Sequence, residues 1–437
     1  MNRVMKMRGS RILTMFSLVL AGEAIFGLPF AVSRYFGETF KKEFKVDDLE
    51  LGWLFFNYGI VAMFAYLFGG PLADRFSARK LLSFALCSTG VFGFYMAALP
   101  DYATMKILYA IWGVTTILPF WAALIRATRE WGGTEQQGKA FGILDGGRGL
   151  LAASIATVAW CVFRFYPGAD RDALCAVIYM YTFVSLGAGV FVWFFVPDSE
   201  AATKPAAVER DGETWRRVIV VWQMPSIWLV AIVIICAYCA FKGTDFFSRY
   251  AVVAYYGSDD PEGVVKAAFV MTISTWIRPV AAIAAGWLAD RFFSASRVIL
   301  WCFAMLICVF ASFALTTPSA SLATIGILWA NVTISCIAVF ALRGTYFALL
   351  EETDVPTAMT GTAVGVVSFL GYTPDIFVSV VGGWLIVHWA DPLIGYRVFF
   401  WLLAGTSVIG ALAAIGVGRM PSRIADNKGT IEMADSN

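Results

Sequence analysis

Hydrophobic residues in this chain run in long blocks and do not alternate. Twelve nearly unbroken apolar stretches lie at about 12–36, 51–72, 81–99, 103–125, 138–163, 174–196, 226–255, 266–287, 298–316, 321–349, 359–388 and 396–418. A helix needs ~20 such residues to cross a bilayer core. No period-2 pattern marks a β-barrel, and lipid offers no water to an open backbone, so the runs predict helices. The predicted fold is all-α and polytopic, with twelve transmembrane helices. The polar stretch PDSEAATKPAAVERDGETWRR, with two prolines, separates six runs from six. It predicts an N-terminal six-helix half at 1–196, a linker at 197–217, a C-terminal half at 218–418 and a tail at 419–437.

Composition supports the membrane reading and removes other classes. Of 437 residues, 59% are hydrophobic and 15% charged, with a mean hydropathy of +0.72; an average soluble chain carries about 25% charge. The net charge is +2, and no basic patch has stacking aromatics beside it, so nucleic acid is not an expected partner. Cys236 and Cys239 form a C-x-x-C inside a spanning run, without a second pair, and read as small packing residues. The single histidine, His388, cannot make a metal site or a proton relay alone, and reads as interfacial. There is no G-x-x-x-x-G-K-[ST] loop for ATP. No cofactor is expected, and no nucleophile–base–acid set predicts an enzyme. Arg3, Lys6, Arg8 and Arg11 precede a first run too long for a signal peptide, with no small-x-small cleavage site, so it reads as a retained span. Lys and Arg are concentrated in the loops on the N-terminal side, which predicts cytoplasmic termini and linker in a multi-pass protein of the cytoplasmic membrane.

The two halves echo each other. LADRF occurs at 72–76 and again at 288–292, each between the second and third runs of its half. SRY at 33–35 recurs at 248–250. Parallel repeats about an axis along the membrane normal are a transporter architecture, with the substrate site near midplane between the repeats. The motif G-x-L-A-D-R with following basic residues resembles the signature of the major facilitator superfamily, here Gly70, Leu72, Ala73, Asp74, Arg75, Arg79 and Lys80, then Gly286, Leu288, Ala289, Asp290, Arg291 and Arg297. The resemblance extends over the whole chain. It implies two six-helix pseudo-repeats, a monomer, and a gate clasp on the cytoplasmic side formed by Gly70, Asp74, Arg75, Arg79, Gly286, Asp290 and Arg291.

Charges within the spans are few: Arg34, Arg148, Lys242, Arg249, Arg278 and Arg343 against Glu23, Asp145, Asp245 and Asp375. Each costs several kcal/mol at membrane depth unless it pairs or meets water, so each is a functional candidate. At ~1.5 Å rise per residue, Glu23, Arg148, Lys242, Arg278 and Asp375 fall near midplane and suit one central cavity. Asp245, three residues after Lys242, shares its face and suits holding the ammonium. Arg34, Arg249 and Asp245 fall toward the outer face. Arg343, with Glu351 and Glu352 following, falls toward the inner face and reads as gate or structure. Pro374 in GYTPDIF kinks the eleventh run beside Tyr372 and Asp375.

Two stretches, WGGTEQQGKAFGILDGGRG and RYFGETFKKEFKVDDLELGWLFFNYG, resemble the organophosphate:phosphate antiporter branch of that superfamily. That branch binds phosphate through basic residues of helices 1 and 7, with another on helix 5. Lys242 stands where an arginine would be, Arg148 where a histidine would be, and Arg34 is the nearest match on helix 1. A lysine loses the planar fork that grips phosphate in pairs. The combined reading is a secondary transporter of a small organic anion, by proton symport or anion exchange. Lys242, Arg148, Arg34 and Arg278 bind substrate; Glu23, Asp145, Asp245 and Asp375 couple protons or balance charge; Tyr372 lines the site. Its expected partners are the anion, protons or phosphate as coupling ion, and the bilayer. A transporter-shaped metabolite sensor is the alternative.

Overall fold

In the computed structural model the described residues are 2–132, 137–166, 170–198, 216, 219–257, 260–291, 294–319, 321–353, 355 and 360–420. Twelve helical spans cross the molecule: α1 (Arg11–Tyr35), α2 (Asp48–Tyr66), α3 (Ala78–Ala97), α4 (Tyr102–Gly132), α5 (Gly142–Arg164), α6 (Asp170–Phe195), α7 (Pro225–Tyr256), α8 (Pro261–Leu288), α9 (Ala295–Leu315), α10 (Leu322–Leu350), α11 (Ala363–His388) and α12 (Pro392–Gly418). Every expected run is found, with ends shifted by a few residues. Large apolar side chains such as Phe84, Phe194 and Leu412 stand exposed on the outer surface, as a lipid-facing exterior requires. The predicted linker lies almost wholly outside the described residues.

Local chemistry sets the helix starts. Asp47 accepts from the backbone of Glu50, whose side chain accepts from the Asp47 N–H, a capping box that opens α2 at Asp48. Asp260 and Asp391 cap α8 and α12, each followed by a proline at the first helical position.

Helix pairing repeats with an offset of six. In the first half α3 packs on α6, α2 on α4, and α1 on α5 and α6; in the second α9 packs on α12, α8 on α10, and α7 on α11 and α12. The contacts between halves repeat as well: α2 lies along α11, and α5 along α8. This is the two-fold pseudo-repeat that LADRF announces.

The α2–α11 crossing is backbone against backbone. A Cβ at Gly52 would lie 2.5 Å from the Ser379 carbonyl oxygen, and one at Gly59 3.1 Å from the Asp375 carbonyl carbon. On the partner helix, a Cβ at Gly383 would lie 2.7 Å from the Leu49 Cα. The side of the molecule away from the LADRF loops is thereby shut. On the LADRF side, Gly142, Gly146 and Gly286 meet no atom within 4 Å, and Ile143 is exposed. The glycine-against-backbone crossing of the other side has no counterpart at these three positions.

Candidate functional site

One cavity lies between the halves, lined from α1, α2, α4, α5 and α6 on one side and α7, α8, α10 and α11 on the other. It offers about 150 Å³ to water, room for several ordered waters or a small ligand.

The helices around it are broken near this depth. α1 takes a π turn at Gly27–Ala31, which contains Pro29. α7 leaves α-geometry after Gly243, through a 3₁₀ turn at Thr244–Phe246. α8 is interrupted at Trp276, α10 tightens to 3₁₀ at Tyr346–Glu352, and α11 restarts at Pro374. Irregular backbone at membrane depth is tolerated where it borders a cavity. Lys242, Arg278, Arg343 and Asp375 each sit within a few residues of such a break.

Five cations line the cavity: Arg34, Arg148, Lys242, Arg278 and Arg343. Lys242 Nζ lies 2.9 Å from Asp245 Oδ2 and 3.4 Å from Asp375 Oδ1, over the rings of Phe30 and Phe55, and the residue is 1% exposed. Asp245 also takes the Arg34 guanidinium, so one buried carboxylate holds a cation from each half. Tyr238 donates to Asp375 Oδ2 at 2.9 Å. Glu23 Oε2 lies between Arg148 Nε at 3.7 Å and Arg278 Nη1 at 3.5 Å, again one cation from each half. Arg343 stacks over Phe241, with its guanidinium 4.0 Å from the ring centroid, and has no ion pair among the described residues.

A second network seals the closed side. Arg249, 2% exposed, pairs with Asp48, and its Nη2 donates to the Asp245 carbonyl at 3.2 Å. Lys41 reaches Asp48 and Glu38 at 2.8 Å each. Gly37 leaves room for the Arg249 stem, since a Cβ there would lie 2.6 Å from Arg249 Cγ. Glu38 lies outside the spans, and burial raises its carboxyl above the ordinary value against the pull of Lys41. Tyr35 Oη and Thr275 Oγ1, 3.0 Å apart, add a hydrogen bond across the halves.

Sequence reasoning placed most of these groups. Arg34, Arg148, Lys242, Arg278, Glu23, Asp375 and Tyr372 line the cavity, and Asp245 backs it. Two positions are corrected. Asp145, one turn before Arg148, is exposed and does not line the cavity. Arg343 lines the cavity instead of standing at the inner end of its helix. Asp48 was missed; it stands beside the capping residue Asp47 and has no sequence signal of its own. Of the expected clasp, Arg79 pairs with Asp198 and stacks on Trp193 inside its own half. Asp198 is held below the usual carboxylate range, first by a hydrogen bond from Ser77 and then by Arg79 and Lys80. Arg75 and Arg291 are exposed, and Gly286 faces open space. Of Gly70, Asp74 and Asp290 only the backbone is described, and it is helical.

The sequence model of the Major Facilitator Superfamily matches residues 12–377. Among curated proteins, inner membrane protein YqcE of Escherichia coli (strain K12) is 27% identical over 370 residues, covering 83% of this chain and 84% of YqcE. Inner membrane protein YihN of the same organism is 25% identical over 400 residues, covering 91% and 93%. Among solved structures, the nucleoside transporter NupG superposes with a TM-score of 0.70 at 17% identity, covering 94% of this chain and 98% of that one. A bacterial homologue of the lysosomal transporter Spinster, inward-facing and unoccupied, gives 0.73 at 14% identity, covering 94% and 97%. At these identities the solved structures speak for the fold alone.

Proposed function

The chain belongs to the major facilitator superfamily, and from that premise we propose that it carries a small organic anion across the cytoplasmic membrane by alternating access. One observation carries this reading: the cavity shared by the halves gathers five cations against three carboxylates, Glu23, Asp245 and Asp375. Charge of one sign in a low-dielectric site is costly unless something offsets it, and a transported anion does so. The resemblance to the organophosphate:phosphate antiporters points the same way, toward sugar phosphates or sugar acids. Two E. coli relatives described as inner membrane proteins support the location. The lysine and arginine bias of the loops supports cytoplasmic LADRF loops, so the state described above faces inward. Asp74 and Asp290, with their arginines, would then clasp the mouth when that side closes.

Glu23 is the coupling group in this reading. It neutralises Arg148 and Arg278 together, and its protonation would release both to an anion. Uptake in vesicles, over a panel of phosphorylated, carboxylated and sulfonated small molecules, tests the proposal. Saturable uptake of at least one anion is expected, together with sensitivity to a protonophore. Glu23→Gln should remove the dependence on the proton gradient while leaving exchange of internal for external anion. Transport of neutral solutes only would end the anion reading; protonophore sensitivity surviving in Glu23→Gln would remove Glu23 from the coupling step.

A further inference from the structure

Lys242 is the cation that chain position recommends as the anion's anchor, yet it is the least available of the five. It already meets two carboxylates and two aromatic rings, and almost none of it is exposed. Arg34 is held by Asp245. Arg148 and Arg278 share Glu23 at distances long enough to yield. Arg343 differs from all of them. Alone of the five it has no carboxylate in ion-pair range among the described residues, and its Nη1, like Arg148 Nε, is buried without a hydrogen-bond partner. A buried charged donor left unmade is expensive, and native proteins rarely keep one without a reason.

Its surroundings suit an oxyanion. A guanidinium presents a planar fork that matches carboxylate, phosphate or sulfonate two bonds at a time, and it stacks on aromatic faces. Phe241 lies flat beneath it at 4.0 Å, with Tyr238 at 5.7 Å. The aromatic lining continues as tilted rings: Phe241 to Tyr238 at 5.4 Å and 49° between planes, then Tyr238 to Tyr372 at 5.1 Å and 57°. The middle ring, Tyr238, donates to Asp375, an acceptor for hydroxyl groups. Across the cavity Glu23 is a second acceptor.

Resting on the anion-transport reading, we propose that Arg343 anchors the substrate's oxyanion, and that the substrate is a hydroxylated ring-sized acid. Its anionic group meets Arg343, its ring lies along Phe241, Tyr238 and Tyr372, and its hydroxyls reach Asp375 and Glu23. Lys242 is then a positioning residue. It ties Asp375 of α11 to Asp245, which in turn holds Arg34 of the other half.

The test is equilibrium binding to the purified full-length protein, read by calorimetry. The probes are D-glucose 6-phosphate, D-glucuronate and inorganic phosphate, with D-glucose as the neutral control. The wild type binds at least one of the two sugar-derived anions and binds D-glucose weakly or not at all. Arg343→Gln should weaken the bound anion by ~30-fold or more, the scale of losing one partner of a buried charge pair. Arg343→Lys keeps the charge and loses the fork, and should weaken it by roughly tenfold, a step of about one bidentate bond. Lys242→Gln should lose clearly less affinity than Arg343→Gln while its transport rate falls. If Arg343→Gln does not elute as a folded monodisperse protein, Arg343→Lys decides: wild-type affinity there overturns the proposal. Binding lost in Lys242→Gln as fully as in Arg343→Gln also overturns it and returns the anchor to helix α7, with the anion reading intact. A wild type that binds inorganic phosphate but neither sugar-derived anion overturns the ring-sized substrate. A wild type that binds D-glucose and none of the anions overturns the anion reading itself.

Discussion

Asp48→Ala is expected to cut the yield of folded protein sharply and to lower its melting temperature by several degrees. Asp48 is the partner of Arg249, and Arg249 is 2% exposed in the middle of the packed halves. It also takes Lys41 at 2.8 Å. Removing the carboxylate leaves a buried guanidinium uncompensated, a loss of ~3–5 kcal/mol in comparable buried pairs. Folded proteins are stable by only about 5–15 kcal/mol, so the effect is large. The loss lies in the orphaned charge more than in the missing attraction. Replacing both partners, Asp48→Leu with Arg249→Met, should therefore recover much of the stability that Asp48→Ala loses. Thermal unfolding of the purified protein, followed by tryptophan fluorescence, measures all three. A melting curve for Asp48→Ala that overlays the wild type would mean that the pair is not a seal.

The seal shows why some of the site was legible in the sequence and some was not. Spans are legible because lipid admits only closed backbones, and a run of Leu, Ile, Val and Phe cannot be read otherwise. Intramembrane charges are legible because they are rare there. Five of the seven charged cavity-lining residues, Glu23, Arg148, Lys242, Arg278 and Asp375, followed from rarity and depth alone, and Arg34 from the family resemblance. The seventh, Arg343, failed on depth. Its nearness to Glu351 and Glu352 read as an inner-end charge cluster, whereas its side chain packs on Phe241 of α7 at the cavity wall. Asp48 failed for the opposite reason: as one of two adjacent aspartates before an apolar run it reads as a loop charge. Its burial comes from Arg249 of α7 and from the backbone at Gly383 of α11, both far away in sequence. Which carboxylate meets which cation is likewise set by packing between the halves. Asp245 could be paired with Lys242 from their spacing of three, but its second partner, Arg34, is 211 residues away.

The same packing makes Gly52→Ala and Gly383→Ala informative about the transport cycle. Alanine at 52 would place a methyl group 2.5 Å from the Ser379 carbonyl, and at 383 a methyl 2.7 Å from the Leu49 Cα. These neighbours are backbone atoms of a facing helix, so neither can swing aside, and α2 and α11 must part. Overpacking of this kind raises the energy of the packed state by ~1–3 kcal/mol. In a carrier with two states, only the one with this side closed bears that penalty. Since about 1.4 kcal/mol is a factor of ten in an equilibrium constant, each substitution should shift the balance toward the opposite-facing state by roughly 5- to 150-fold. Gly142→Ala and Gly286→Ala meet nothing within 4 Å here and should leave this state untouched. A cysteine at Ala31, on the cavity wall, reports the result when the native cysteines are serine. In intact cells, a membrane-impermeant maleimide added outside should label Ala31→Cys several-fold faster in the Gly52→Ala or Gly383→Ala background. Equal labelling with a normal melting temperature would show that the crossing yields elsewhere, and would move the outer gate from the α2–α11 contact to the Arg249–Asp48 pair alone.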